Sequence, residues 1–265
     1  MGGSANHMQP AISSVTMTAL GGIPLIAPGD DLAEIIAEAM DAGEIVPQDG
    51  DIVVIAQKIV SKAENRYRKL SSVVPSQRAK DFAQILNKDA RHIEVILQES
   101  SEVLRRTEQA LITVHRLGFV MANAGVDQSN IDHSGADGLV LLLPLDPDAT
   151  AAGLKSAFDG RYGVSMGVII NDSFGRAWRR GVVGVALGAA GLPALRSLVG
   201  ENDLFGRPLR ITEHAAADEI SSAASLLMGQ AAEGVPAVHI RGIDFAGRTN
   251  TAQALIRPKH QDLFR

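Results

Sequence analysis

The chain has 265 residues, of which 46% are hydrophobic and 21% charged, a balance that excludes intrinsic disorder and allows one large domain or two modest ones around a sizeable core. Lys and Arg total 25 against 30 Asp and Glu, a formal net charge of -5, which argues against nucleic-acid binding through a broad basic surface. Cysteine is absent, so disulfides, thiolate zinc sites, iron–sulfur clusters and Cys nucleophiles are excluded, and a bound metal must use oxygen or His, with Mg²⁺ or Mn²⁺ on carboxylates favoured over zinc.

Residues 2–8 read as a vector remnant ahead of a domain covering residues 9–265. No basic start followed by an apolar run marks a signal peptide, so a cytoplasmic location is expected. The uncharged stretch Gly181–Leu195 is Gly-rich and short of the ~20 residues of a membrane span. After the Gly- and Pro-broken segment GGIPLIAPGDD (from Gly21), the positions of Leu32, Ile35, Ile36, Ala39 and Met40 predict an amphipathic helix. Asp31 with Glu34 resembles a capping box, and Gly43 is expected as its left-handed stop. The β-branched run Ile52–Ala56 predicts a strand buried on both faces, with Gln57–Lys62 leaving its end.

Between Pro75 and Arg106 the apolar spacing predicts two helices with a break near Asp89. Strand-like runs follow at Ala110–Val114, Gly118–Met121 and Leu139–Leu143, separated by the polar loop GVDQSNIDHSGADG from Gly125. Asp146-Pro147 starts a helix reaching about Phe158, and Val164–Ile170 is the next strand, ended by Asn171-Asp172. The Gly/Ala-rich stretch from Gly181 suits close backbone packing, Glu213–Met228 reads as a helix, and Ala237–Gly242 as a strand. Helices and strands mix without strict alternation, which predicts an α+β fold rather than a doubly wound parallel sheet.

Neither GxxxxGK[ST] nor a strand-borne GxGxxG occurs, so a bound nucleotide would need another cradle. Asp127 and Asp172 both lie at predicted strand ends, where they can cap turns or, with the Ser173 hydroxyl, hold a hard dication. Arg176, Arg179 and Arg180 are either a solvated basic turn or an anion-binding patch. Lys58 and Lys62 pose the same choice, with Lys62 favoured for a loop setting. The spacing of Gly181, Gly184, Gly188 and Gly191 suits packing more than ligand approach, and Trp178 suits a core or interface anchor more than ring stacking. Nothing beside His115 or His133 marks a catalytic triad.

Five ordered blocks, GIPLIAPGDDLA (from Gly22), AQKIVSKAENR (from Ala56), GFVMANAGVDQSN (from Gly118), INDSFGRAWRRG (from Ile170) and ADEISSAASLLMGQAAEGVP (from Ala217), together resemble the coenzyme F-420:γ-glutamyl ligase family over almost the whole chain. The resemblance implies a GTP-dependent ligase that joins L-glutamate to the lactyl carboxylate of F-420-0, a deazaflavin phosphodiester, and can extend the tail by γ-linkage. It implies a homodimer with an α+β fold lacking a P-loop and built as two intimately packed subdomains, and two Mg²⁺ or Mn²⁺ ions, with room for a monovalent cation.

By family position Asp127, Asp172 and Ser173 match metal ligands, Ser173 standing where the family usually has Thr. GTP contacts carry over to Ile23, Pro24, Leu25, Ile26, Gln57, Lys62, Asn130 and the run Met228, Gly229, Gln230, Ala231, Ala232, Glu233, Gly234 and Val235. Gln230 stands where many members have a metal-binding Glu. Lys62, Asp127 and Asp172 carry the implied catalysis: an acyl phosphate made from the acceptor carboxylate gives the glutamate amine a good leaving group to displace. Two alternatives stand beside this reading: a noncatalytic deazaflavin- or nucleotide-binding module, and a ligase for another amino acid or a modified F-420 precursor.

Overall fold

The computed structural model describes residues 14–108, 110–131, 138–244 and 248–262; the presumed vector remnant and His133 lie outside them. Thr16–Ala19 is a strand (β1), and Leu32–Ala42 forms the first helix (α1). The Asp31 carboxylate caps α1, accepting from the N–H groups of Ala33 and Glu34 at 3.0 and 3.2 Å. The Glu34 carboxylate is drawn instead to Arg161, whose charge-assisted bonds at 2.9 and 2.7 Å outcompete a backbone partner. Gly43 is not the left-handed stop: its φ is -83°, because its N–H still donates to the carbonyls of Ala39 and Asp41, and the left-handed residue is Glu44 at φ 54°.

Ile52–Ala56 is β2, as the β-branched run predicts, and Gln57–Ala63 continues from it as a helix, α2. Tyr67–Lys69 is β3. The two predicted helices are α3 (Gln77–Leu86) and α4 (Ala90–Gln98), divided by left-handed Asn87 and by Asp89, which caps α4. The rest of that stretch, Ser100–Arg106, is a strand (β4) that hydrophobic periodicity does not announce. It is the edge of a three-stranded sheet with β5 (Leu111–His115) and β6 (Val120–Ala122), and cross-strand bonding holds its charged sequence extended.

Leu139–Leu141 (β7) pairs with β3, and Pro147–Tyr162 (α5) follows, capped by Asp146. Two long strands come next, Gly167–Arg176 (β8) and Arg179–Ala190 (β9), so Asn171-Asp172 does not end a strand as expected: β8 runs four residues past Asp172 because β9 pairs with it throughout. Arg196–Ser197 (β10) pairs with Glu213–His214 (β11), which delays the predicted helix to Ala216–Met228 (α6), and Ala237–Arg241 is β12.

The central sheet has the order β1-β12-β2-β8-β9, with β2 and β8 parallel and the other neighbours antiparallel. This mixed sheet with packed helices is the α+β architecture expected. Alternation along β2 sends Val53 and Ile55 toward α1 and α5, where Ile36, Met40 and Phe158 are buried, and Ile52 and Val54 toward Ile220 and Ala224 of α6. Both faces are therefore covered, which is why β2 reads as a continuous apolar run. A separate cluster gathers Leu86, Ile93, Ile96, Leu111 and Val140 around α3 and α4.

Close packing on β9 requires glycine at two positions. A Cβ on Gly184 would stand 2.3 Å from the Ser221 carbonyl oxygen of α6, and one on Gly188 would stand 2.2 Å from the Pro147 carbonyl oxygen of α5. Gly181 meets nothing within 4 Å and serves the turn instead, at φ 85°.

Candidate functional site

One end of the central sheet collects four chain segments. Antiparallel β12 begins where β1 and parallel β2 and β8 arrive: Ala19 pairs with Val238, Ala237 with Ile55, and Ala56 with Asn171. Hydrogen bonds from the Leu20 N–H to the Ala237 carbonyl (3.0 Å) and from the Ala56 N–H to the Pro236 carbonyl (2.8 Å) seal this end. The loop with Ile23–Ile26, the start of α2, the Asp172–Ser173 stretch of β8 and the loop into β12 all leave from the same rim. In α/β packing, strand ends of this kind are where ligands collect, because the backbone there is free to carry varied side chains.

Asp172 occupies a ledge at this rim. β2 stops pairing with β8 at Asn171 and turns into α2, so beyond that point β8 has a neighbour on one side only. A cavity of about 180 Å³ opens there, lined by Gln57, Asp127, Asp172, Ser173 and the Met121–Ala122 and Gly125–Val126 segments. Burial pushes the Asp172 carboxyl up to about 6; the charge of Asp127 adds to the rise, while the Ser173 N–H, the Lys58 charge and the Gln57 side chain oppose it.

Asp127 follows a short 3₁₀ turn (Asn123–Gly125) and is bridged to Leu141 by two backbone bonds of 3.0 and 2.9 Å. Its Oδ1 accepts from the N–H groups of Gln128 and Ser129 at 2.7 and 2.8 Å; its Oδ2 accepts from the Ser129 hydroxyl at 2.8 Å and faces the Lys58 ammonium at 2.7 Å. Burial works to raise this carboxyl, but Lys58 and the Ser129 donors outweigh it and hold Asp127 below the usual carboxylate range. The turn-capping reading of Asp127 is thus realised, and the same carboxylate carries an ion pair.

Sequence reasoning favoured Lys62 over Lys58, and the structure changes the terms of that choice. Lys62 sits in the last turn of α2, not in a loop, and it is Lys58 that reaches Asp127. The two lysines are four residues apart on one helix face, and burial together with the Lys58 charge holds Lys62 below its ordinary value. What could have identified Lys58 is its position at the second residue of a helix beginning at the cavity wall; periodicity across Gln57–Lys62 is too short to announce that helix.

The remaining predicted contacts divide by exposure. Asn130 donates its Nδ2 to the Ala231 carbonyl at 3.3 Å, which joins the Asp127 loop to the 229–235 loop. In that second loop Gly229 (φ 72°) lies where a Cβ would stand 2.1 Å from Glu233, so the loop closes over the Glu233 side chain, whose carboxylate accepts from the Ala231 N–H at 2.8 Å. Backbone N–H groups of Ala231, Glu233 and Gln230 hold Glu233 below the usual carboxylate range. Gln230, Ala231, Ala232 and Gly234 are exposed, whereas Met228 is core and its sulfur accepts from Asn171 at 3.4 Å. Ile26 is likewise core, while Pro24 and Leu25 are presented to solvent.

Trp178 is no core anchor: it is 86% exposed at the tip of the β8–β9 hairpin. His115 is fully buried, accepting from the Leu117 N–H at 3.0 Å and lying 3.4 Å from Glu99, beside Arg66 and Arg116. It does not line the cavity.

The donor set suits a hard dication. Asp127, Asp172 and Ser173 offer oxygen ligands only, and the Lys58 ammonium already stands as a monovalent cation against Asp127. The four acceptor positions of Asp127 are all engaged, so a metal ion there takes the place of Lys58 or of the Ser129 hydroxyl. Among the described residues no third Asp, Glu or His joins the pair.

Residues 22–242 match the family model described as F420-0:Gamma-glutamyl ligase. The chain is 44% identical to the Coenzyme F420:L-glutamate ligase of Methanothermobacter thermautotrophicus over 95% of its own length and 99% of the relative's. It is 46% identical to the protein of that name from Methanopyrus kandleri (91% and 93%) and 41% identical to the one from Archaeoglobus fulgidus (92% and 94%). With the fold, the rim and a match of this extent in hand, the chain belongs to the F420-0:γ-glutamyl ligase family.

Proposed function

We propose that this chain is a ligase that joins L-glutamate to the carboxylate of F-420-0 with GTP as phosphoryl donor, and that it extends the tail by γ-linkage. The observation that carries this reading is the convergence on one rim of the Asp127–Asp172 pair, the Lys58–Lys62 face and the 229–235 loop. Two ammonium groups four residues apart repel one another until an anion lies between them, which suits a nucleotide phosphate. The carboxylates and the Ser173 hydroxyl would hold Mg²⁺ or Mn²⁺, which when bound neutralises phosphate charge during transfer.

An acceptor carboxylate oxygen attacks the γ-phosphorus and GDP leaves, giving an acyl phosphate. The glutamate amine then attacks the acyl carbon, inorganic phosphate departs with the original carboxylate oxygen, and the amine proton passes to solvent. Lys62 steadies the phosphate oxygens; Gln57 and the Ser173 N–H orient Asp172. Purified protein incubated with F-420-0, GTP, Mn²⁺ and L-glutamate should yield the mono- and poly-glutamylated products by mass spectrometry. With ¹⁸O in the acceptor carboxylate, label should appear in inorganic phosphate. Absence of amide product, unlabelled phosphate, or a kcat/KM for ATP equal to that for GTP would each overturn the corresponding part of this reading.

A further inference from the structure

The cavity wall does not stop at the carboxylates. Asp172, Ser173, Phe174 and Gly175 line it in succession, so it follows β8 outward to the residue before Arg176. Side chains on a strand alternate, which puts Asp172, Phe174 and Arg176 on one face, with Arg176 about 13 Å along the strand from Asp172. The register irregularity at the tip lies on β9, where Arg180 and Gly181 are inserted, so β8 keeps its alternation up to Arg176. The base of the hairpin is fixed because Phe174 is buried edge-on against Phe119, ring centroids 6.1 Å apart.

Arg176 is half-buried, and its guanidinium makes one long bond of 3.4 Å to the Gly181 carbonyl. Among the described residues neither it nor Arg179 or Arg180 has a carboxylate within ion-pair distance, whereas Arg66, Arg116, Arg161 and Arg241 each do. Among the described residues these three cations thus lack an ion-pair partner at the tip of the hairpin whose β8 strand lines the carboxylate-bearing cavity as far as Gly175, in a chain of net charge -5. A guanidinium with most of its donors free is built for a forked bond to phosphate or carboxylate.

We propose that Arg176, assisted by Arg179 and Arg180, forms an anion subsite for the acceptor, holding the negative group next to its reacting carboxylate. This rests on the proposed function: in the unglutamylated acceptor that group is the phosphodiester, and in a glutamylated one it is the α-carboxylate of the last residue added. The subsite orients the acceptor and selects anionic acceptors. It does not bind the nucleotide.

The test compares wild type with Arg176→Ala, Arg176→Lys and the Arg179→Ala/Arg180→Ala double variant, each checked by thermal unfolding. Acceptor binding is titrated through deazaflavin fluorescence, independently of turnover, and KM is measured separately for F-420-0, its monoglutamylated form and GTP. Loss of a charged hydrogen bond predicts that Arg176→Ala weakens acceptor binding and raises acceptor KM about tenfold or more, with Arg176→Lys intermediate and the KM for GTP unmoved. An effect on both acceptors is the expected result; one confined to F-420-0 would restrict the subsite to the phosphodiester, and one confined to the monoglutamylated form would restrict it to the α-carboxylate. Acceptor affinities within about twofold of wild type in all variants, or a rise confined to the KM for GTP, would overturn the subsite. A wild-type protein that binds acceptor but makes no amide would instead count against the ligase reading alone.

Discussion

Replacing Gly184 by Ala tests the contact that seats α6 on the sheet and, through the end of α6, the 229–235 loop. The new Cβ would lie 2.3 Å from the Ser221 carbonyl oxygen, 2.3 Å from the Ser225 hydroxyl and 2.6 Å from the Ser221 carbonyl carbon. The hydroxyl could swing away only by giving up its bond to the Ser221 carbonyl (3.0 Å) and its acceptance from Asn171 (3.2 Å). The carbonyl belongs to helix backbone and cannot swing, so α6 must move away from β9. Overpacking of this kind costs about 1–3 kcal/mol, and backbone on both sides of the contact places the value near 3. For a domain of this size that is a fall in Tm of about 6–12 °C. Gly153→Ala is the matched control: it sits within α5 with nothing within 4 Å of its added Cβ. There the same atom should stabilise by about 0.5–1 kcal/mol through helix propensity. Urea unfolding at constant m-value gives both free energies, and a raised KM for GTP in Gly184→Ala checks the link to the loop. A Gly184→Ala Tm within about 1 °C of wild type would refute the packing argument.

Asp127→Asn and Asp172→Asn each remove a formal charge from the cavity at nearly constant volume, and each should lower ligation at least ~100-fold with the circular dichroism spectrum intact; near wild-type turnover at limiting metal would sink the assignment. Lys58→Met frees the Asp127 oxygen that Lys58 faces at 2.7 Å, so Mn²⁺ binding without nucleotide, followed by electron paramagnetic resonance, should tighten, and weaker binding would show that Lys58 does not compete with a cation. Because Gln230 brings no charge and no third acidic residue joins Asp127 and Asp172 among the described residues, one ion is expected in the free protein and a second with GTP, Gln230→Glu strengthening the second; two full anomalous Mn²⁺ peaks without nucleotide would contradict this. Asp51 is buried at 2% exposure, chelated by Arg241 at 2.9 and 2.6 Å and bonded to His239 at 2.9 Å. Burial alone would raise its pKa, but Arg241, His239 and the Gln48 N–H hold it below the ordinary value. Its contribution is therefore fully present above the unfolded pKa of about 4 and is lost as pH falls through the lower folded value. Asp51→Asn should cost about 3 kcal/mol at pH 7 and flatten that acid limb; parallel wild-type and variant stability curves between pH 3 and 7 would refute it.

The sequence by itself determined the elements whose cause is local. Asp31, Asp89 and Asp146 cap helices because a short carboxylate reaches the free N–H groups of the first turn. The run Ile52–Ala56 is a doubly buried strand because five consecutive apolar residues have no polar face to show solvent. The glycines that admit α5 and α6 onto β9 were legible as close-packing positions. Of the residues that the family resemblance marks out, Asp127, Asp172 and Ser173 line one cavity, and residues 22–242 match the family model.

Only the tertiary structure decided how those residues meet. Asp172 was expected at the end of a strand and lies within one, because β9 extends the strand by hydrogen bonds between residues distant in the chain, which no local pattern encodes. Strand β4 was invisible for the same reason: its conformation comes from pairing with β5, not from its own charged sequence. Lys58, not singled out over Lys62 by the sequence, is the partner of Asp127 because an ion pair across 69 positions depends on where α2 starts relative to the cavity, not on residue type. Local chemistry acts within a turn of chain and can be read from it; the placement of a charge against another charge is a property of the assembled sheet.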